Sequence, residues 1–150
     1  MYHRIVRSKV YKTFGYLNQH DYEAVTATFD PLLIHSFAGS SALGGMRHSR
    51  STAQLWYQRL FRLFPDIRFS VKNVVISGLP WDTRVAVQFR VDLSEPDETA
   101  FYNEVAQFLQ IKWGRITQMY LYEDTDKLAG LLGRMTSHGI EEAAATPIVD

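Results

Sequence analysis

A row of polar side chains along one predicted strand is the first candidate for chemistry in this chain. Between residues 84 and 93 the side chains alternate, which places Arg84, Gln88, Arg90 and Asp92 on one face and apolar residues on the other. A carboxylate can move a proton, and a neighbouring guanidinium favours its ionised form. The row is therefore a candidate site if it faces an interior pocket, and a simple ion pair near the strand end if it faces solvent.

The surrounding pattern predicts that this strand is one arm of a hairpin. Gly78 permits positive φ and Pro80 fixes φ, so the segment between the two apolar runs is typical of a tight turn. A second hairpin is predicted about Trp113-Gly114, with arms at residues 101–113 and 115–123. The segment 38–50, which contains several glycines and serines, is predicted to be a loop.

Helical periodicity accounts for most of the remaining chain. The first helix has an apolar stripe of Val6, Val10, Phe14 and Leu17, and the last carries its stripe after a cap at Asp124. The predicted order is helix, helix, strand, helix, four strands and helix, which indicates an α+β fold with a mainly antiparallel sheet. Residues 1–136 are predicted to form one domain, and residues 137–150 a tail that is mobile or packed on a partner.

Composition and charge restrict the function. Sixteen basic and sixteen acidic residues cancel, so no surplus of charge favours a nucleic acid or an anionic membrane as partner. The chain has no cysteine, which rules out disulfides and thiol catalysis, and its five histidines lack the usual spacing of metal ligands. That spacing predicts no bound metal, and no cofactor is predicted either. No secretion signal is recognisable, so a cytoplasmic location is predicted.

The element order also predicts a pocket and a partner. A long curved sheet with helices on its concave side makes a cone, and side chains cannot fill the wide end of such a cone. An apolar convex face would need to be covered by another subunit, so a homodimer is predicted.

Several segments resemble a known family. The resemblance runs from about residue 18 to about residue 127, and the residues that carry it are His20-Asp21-Tyr22-Glu23-Ala24-Val25, His35-Ser36-Phe37-Ala38-Gly39, Ala42-Leu43-Gly44-Gly45-Met46-Arg47, Leu63-Phe64-Pro65-Asp66, Pro80-Trp81-Asp82-Thr83-Arg84-Val85-Ala86-Val87, Tyr102-Asn103-Glu104, Trp113-Gly114-Arg115-Ile116 and Tyr122-Glu123-Asp124-Thr125. In these segments the chain resembles the SnoaL-like branch of the NTF2-like superfamily. The resemblance implies a cone-shaped α+β domain, with a curved sheet and three to four helices that enclose a pocket.

The chemistries of that superfamily fit the residues unequally. Arg90-Val91-Asp92 is similar to half of the epoxide-hydrolase pattern, but Leu121 stands where that pattern has its second carboxylate. The ketosteroid-isomerase pattern lacks its carboxylate near the first strand, where His35 could act as the base instead. The polyketide cyclases need one acid–base Asp, for which Asp92 is the candidate, with Arg90 beside it and His35 as a competing base.

The resemblance and the polar row together lead to one functional hypothesis and one rival. The hypothesis is a cofactor-free enzyme of the cyclase, isomerase or lyase type that transfers a proton on a lipophilic, oxygenated substrate, with Asp92, His35 and Arg90 as catalytic residues. The rival is a non-catalytic domain that binds a small ligand or serves as a scaffold. The predicted ligand-binding residues are Phe37, Trp56, Leu60, Gln88, Asn103, Met119, Tyr120 and Leu121.

Overall fold

A computed structural model describes residues 1–150 as four α-helices and a six-stranded sheet. The helices are α1 (Tyr2–Asn18), α2 (Tyr22–Thr26), α3 (Arg50–Leu63) and α4 (Thr125–Ser137), and a 3₁₀ helix covers Glu141–Ala144. The strands are β1 (Phe29–Phe37), β2 (Gly45–Arg47), β3 (Arg68–Leu79), β4 (Asp82–Ser94), β5 (Ala100–Lys112) and β6 (Arg115–Glu123). The predicted α+β class is confirmed. No helical segment has the length and hydropathy of a membrane span.

The sheet is curved and mixed, with the strand order β2-β1-β6-β5-β4-β3. Every neighbouring pair is antiparallel except β1 and β6, which run parallel. Strand β2 lies inside the predicted loop 38–50 and pairs only with residues 35–37 of β1. The first half of β1 is thus free on that side, which explains how Pro31, without a backbone N–H, is accommodated in a strand.

Both predicted hairpins are present. Leu79 pairs with Asp82, so Pro80-Trp81 forms a two-residue turn between β3 and β4. At the second turn Trp113 and Gly114 have φ values of 50° and 80°, which is the backbone geometry of the tight turns that join antiparallel strands. The backbone N–H of Trp113 donates to the Pro80 carbonyl at 2.7 Å, and this bond ties the tips of the two hairpins together.

The helices cover one face of the sheet and leave the other exposed. The four residues of the predicted stripe on α1 are the four that the helix buries, and they pack with the inward side chains of β3 and β4. On β4 the inward side chains are the apolar ones, Val85, Val87, Phe89, Val91 and Leu93. Burial of this apolar face supplies most of the driving force for folding.

The segment after α4 packs on its own chain. Glu142 in the 3₁₀ helix accepts hydrogen bonds from Arg59 and Arg62 of α3, at 3.2 Å and 2.7–2.9 Å. Further along, the side chain of Asp150 accepts from the Ser49 hydroxyl and the His48 backbone N–H at the start of α3. Residues 141–150 therefore form a strap across α3 and β2, whereas the sequence predicted a mobile or partner-packed tail.

Candidate functional site

Two cavities lie between the helices and the inner face of the sheet. The larger has a volume of about 340 Å³ and lies between α1 and the strands β5 and β6. Its walls are mainly apolar and include Val10, Phe14, Leu109 and Ile116, and Lys9 contributes a cationic group from the exposed side of α1. A volume of this size lies in the range of small-molecule sites.

The smaller cavity, of about 60 Å³, lies beneath α3 and α4. Leu17, Tyr57 and Gln107 line both cavities, so one layer of side chains separates them. Four residues predicted to bind ligand line the smaller cavity, namely Phe37, Trp56, Leu60 and Leu121. A fifth, Met119, lines the larger one.

Gln107 is the polar group at the boundary between the cavities. Its side chain is buried, and its amide makes no hydrogen bond with another protein group. An amide carries two donors and an acceptor, and at this position its atoms keep some accessible surface. The arrangement leaves both kinds of hydrogen-bonding group available to a bound molecule.

Glu123 is the titratable group on the wall of the smaller cavity. It ends β6 with its side chain partly buried against the apolar residues of that wall. Burial raises the pKa of Glu123 to about 7, and the adjacent Asp124 carboxylate adds to the rise. A carboxyl group with this pKa can take up or release a proton near neutral pH.

His35 and Arg47 form a buried pair beside the cavities. Both side chains are fully buried, and Arg47 Nε donates to His35 Nδ1 at 3.1 Å. The remaining Arg47 donors bind the carbonyl oxygens of Gly44, Gly45 and Ile148. Burial lowers the pKa of His35 well below its usual value, and the Arg47 charge lowers it further.

Arg90 and Asp92, two of the three predicted catalytic residues, lie on the outer face of the sheet. Their side chains form an ion pair with N–O distances of 2.8–3.1 Å and are each more than one-third exposed. The expectation that the polar row faces the interior is wrong, because the apolar side chains of β4 occupy the inner face. The alternative, an ion pair near the strand end, is what the structure shows.

Three predicted ligand-binding residues also lie away from the cavities. Gln88 and Tyr120 point to the outer face, as their positions in the alternation of β4 and β6 require. Asn103 is buried, but its amide donates to the Asp124 carbonyl at 3.1 Å and accepts from the Glu104 backbone N–H. Asn103 therefore fixes the start of α4.

Two polar groups that line the cavities, Gln107 and Glu123, were not predicted, although the sequence carries a signal for both. Gln107 shares the inward phase of β5 with Val105 and Leu109, and Glu123 follows Met119 and Leu121 in the inward phase of β6. A polar residue in the apolar phase of an alternating strand is the pattern that identifies an interior polar group. No three His, Asp or Glu side chains lie close enough together to hold a metal ion.

Comparisons with known proteins place this geometry in a family. A family model described as a SnoaL-like domain matches residues 10–119. A comparison with curated proteins finds no significant match.

Solved structures show the same fold at low sequence identity. An NTF2-like protein of unknown function from Burkholderia pseudomallei K96243 superposes with a TM-score of 0.74 at 15% identity, over 83% of this chain and 95% of that one. TerC, co-crystallised with polyporic acid, superposes with a TM-score of 0.71 at 15% identity, over 81% and 93%. PrhC from Penicillium brasilianum NBRC 6234 superposes with a TM-score of 0.72 at 13% identity, over 88% of this chain and 87% of that one. With the family model covering most of its length, the chain belongs to the SnoaL-like domain family.

Proposed function

We propose that this chain binds a lipophilic small molecule that carries oxygen, in the larger cavity between α1 and strands β5 and β6. The observation that supports this most strongly is the amide of the largely buried residue Gln107, which lies at the wall of an apolar cavity and makes no hydrogen bond within the protein. A ligand oxygen or hydroxyl group would satisfy the amide, and apolar rings would contact the surrounding wall. An apolar pocket with few polar groups is the usual form of a small-molecule site.

The energetics favour a ligand of this kind. Removing apolar surface from water contributes about 25 cal/mol per Å², so the apolar body of a ligand supplies most of the affinity. A hydrogen bond to Gln107 would contribute about 1 kcal/mol and fix the orientation. TerC, which has the same fold, was co-crystallised with polyporic acid, and this supports a small molecule as the ligand class.

Blocking the larger cavity tests this proposal. Leu109→Trp places an indole in the larger cavity, and we expect it to weaken binding of the bicyclic ketone 2-tetralone at least tenfold, as measured by ligand-observed NMR, because the two would compete for one space. Asp92→Asn on the outer face is the matched control and should leave binding unchanged. If 2-tetralone does not bind the wild-type protein, or binds the Leu109→Trp variant equally well, the proposal is wrong.

A second candidate function is proton transfer by Glu123. The supporting observation is the carboxyl group in the smaller cavity, whose pKa is raised to about 7 by burial. A substrate that reaches past Gln107 and Tyr57 would place its acidic carbon beside this carboxylate. This retains the predicted cofactor-free chemistry and assigns the base to Glu123, because Asp92 lies on the opposite face.

Hydrogen exchange into a ketone tests the second candidate without knowledge of the natural substrate. In D₂O, wild-type protein should accelerate the exchange of the α-protons of 2-tetralone. Glu123→Gln should lower the protein-catalysed exchange rate by about 100-fold or more, the usual contribution of a general base. Asp92→Asn should not affect the rate. Equal rates for wild type and Glu123→Gln would eliminate Glu123 as the base.

The proposed partner is a second copy of this chain on the outer face of the sheet. That face exposes Val75, Tyr102, Phe108 and Tyr122, each by 46–58%. The Phe108 and Tyr122 rings pack edge to face at 6.1 Å, which extends this apolar surface across two strands. Sedimentation of the purified protein as a monomer would rule the proposal out.

A further inference from the structure

One ring nitrogen of His35 has no hydrogen-bond partner. Nε2 of His35 is the only side-chain nitrogen or oxygen atom that is fully sealed from solvent and lacks one, whereas the amide atoms of Gln107 keep some accessible surface. Its ring lies among aromatic side chains, with ring-centroid distances of 4.7 Å to Trp56, 5.5 Å to Tyr57 and 6.5 Å to Phe29. Most buried polar atoms in proteins are paired, so an atom of this kind calls for an explanation.

The hydrogen bond from Arg47 fixes the tautomer of His35. The Nε atom of an arginine carries a proton and can only donate, so His35 Nδ1 must accept with its lone pair. In the neutral imidazole the single proton is then on Nε2. The unpartnered atom is therefore an N–H donor, and His35 has no free lone pair with which to act as a base.

The Arg47 guanidinium is itself held in place by several contacts. Its NH1 and NH2 groups donate to three backbone carbonyls at 2.7–3.1 Å, and its guanidinium lies 5.5 Å from the Trp56 ring centre. The Trp56 indole is held in turn by a 2.7 Å bond to the Leu43 carbonyl. The orientation of the His35 ring is thus set by groups that do not depend on a ligand.

Two side chains lie between His35 and the larger cavity. Tyr57 packs edge to face on the His35 ring, and Met119 of β6 is the residue paired with His35 in the sheet. Both Tyr57 and Met119 line the larger cavity. The Tyr57 hydroxyl has only the Met119 sulfur as partner, at 3.5 Å, which is a weak acceptor. Tyr57 therefore contacts the His35 ring and also lines both cavities.

We propose that His35 Nε2–H donates a hydrogen bond to an acceptor oxygen of the bound molecule, with Arg47 as the positioning residue that holds the imidazole in the donor form. Tyr57 and Met119 move aside when the ligand enters. This rests on the proposed ligand-binding function and names the ligand class more closely. The molecule would carry two oxygen functions, one at Gln107 and one carbonyl or other acceptor oxygen at His35.

The tautomer can be measured without a ligand. In ¹⁵N-labelled protein, two-bond ¹H–¹⁵N correlations at neutral pH should show His35 with a protonated Nε2 and an unprotonated Nδ1. The Arg47 hydrogen bond requires this form whether or not a ligand binds, so the measurement tests the geometry on which the proposal depends. A spectrum that shows a protonated Nδ1 would overturn the proposal.

A pair of matched probes tests the donor role. 1,4-Naphthoquinone carries two carbonyl oxygens and naphthalene carries none, and the absence of cysteine removes thiol addition to the quinone. His35→Phe should weaken the binding of the quinone about fivefold to tenfold, the value of one neutral hydrogen bond, and leave that of naphthalene within about twofold. If both probes still bind and His35→Phe weakens them equally, or weakens neither, the role of His35 is overturned and the proposed function stands. Failure of both probes to bind wild-type protein would overturn both proposals.

Discussion

Replacing Arg47 with methionine is expected to lower the free energy of unfolding by about 3–5 kcal/mol, because four hydrogen-bond acceptors would lose their donor. Methionine has a similar length and fills the space, but it donates no hydrogen bond. His35 Nδ1 and the carbonyls of Gly44, Gly45 and Ile148 would each lose the donor they now have. Each buried acceptor left without a partner costs about 1–3 kcal/mol, partly offset because the buried positive charge is removed as well.

Urea unfolding of wild type, Arg47→Met and Arg84→Met measures this effect. Arg84 is the matched control, because it pairs with Asp82 on the surface and both side chains are about half exposed. Its replacement should cost less than about 1 kcal/mol. A loss below about 1 kcal/mol at Arg47 would show that the buried guanidinium does not stabilise the fold.

Replacing Glu123 with glutamine is expected to stabilise the protein at pH 8 by about 1–3 kcal/mol and to change little at pH 4. In the folded protein the pKa of Glu123 is raised from about 4.5 to about 7 by burial. Between these two values the folded state holds a proton that the unfolded state has released, so wild-type stability should fall as pH rises from about 4.5 to 7. Glutamine is neutral throughout and does not contribute to this fall.

Denaturation at a series of pH values gives the sign directly. The difference in unfolding free energy between Glu123→Gln and wild type should grow through the interval from pH 4.5 to 7 and then stay constant. Glu104→Gln is a suitable control, because that side chain is exposed on the outer face. A difference that stays the same from pH 4 to pH 8 would mean that Glu123 titrates like an exposed carboxylate.

The fold was largely predictable because it follows from local patterns. The stripe on α1 repeats at helical spacing, and the turns at Pro80-Trp81 and Trp113-Gly114 contain or adjoin residues with special backbone preferences. Strand β2 was not predicted, because three residues that pair only with the end of β1 carry no periodicity of their own. The curved sheet with helices on its concave side was predicted from the order of the elements, and the family resemblance implied the same cone.

The candidate site was less predictable, because alternation gives two faces without saying which one is inner. The polar row of β4 was assigned to the pocket, whereas the hydrophobic effect places the apolar row there. The same rule applied to β5 and β6 would have pointed to Gln107 and Glu123. The bond between His35 and Arg47 was beyond sequence reasoning, since it depends on the short pairing of β2 with β1.

The parallel pairing of β1 with β6 has a consequence for the order of folding. Strands β3 to β6 are joined by short connections, so their pairing requires only small loops to close. The partners His35 and Met119 are more than 80 residues apart, and closing so long a loop carries a larger entropic cost before its contacts compensate. We therefore expect the four-stranded meander to form early and β1 to dock late. The packing of His35 against Tyr57 beside the larger cavity would then be completed in the last stage of folding.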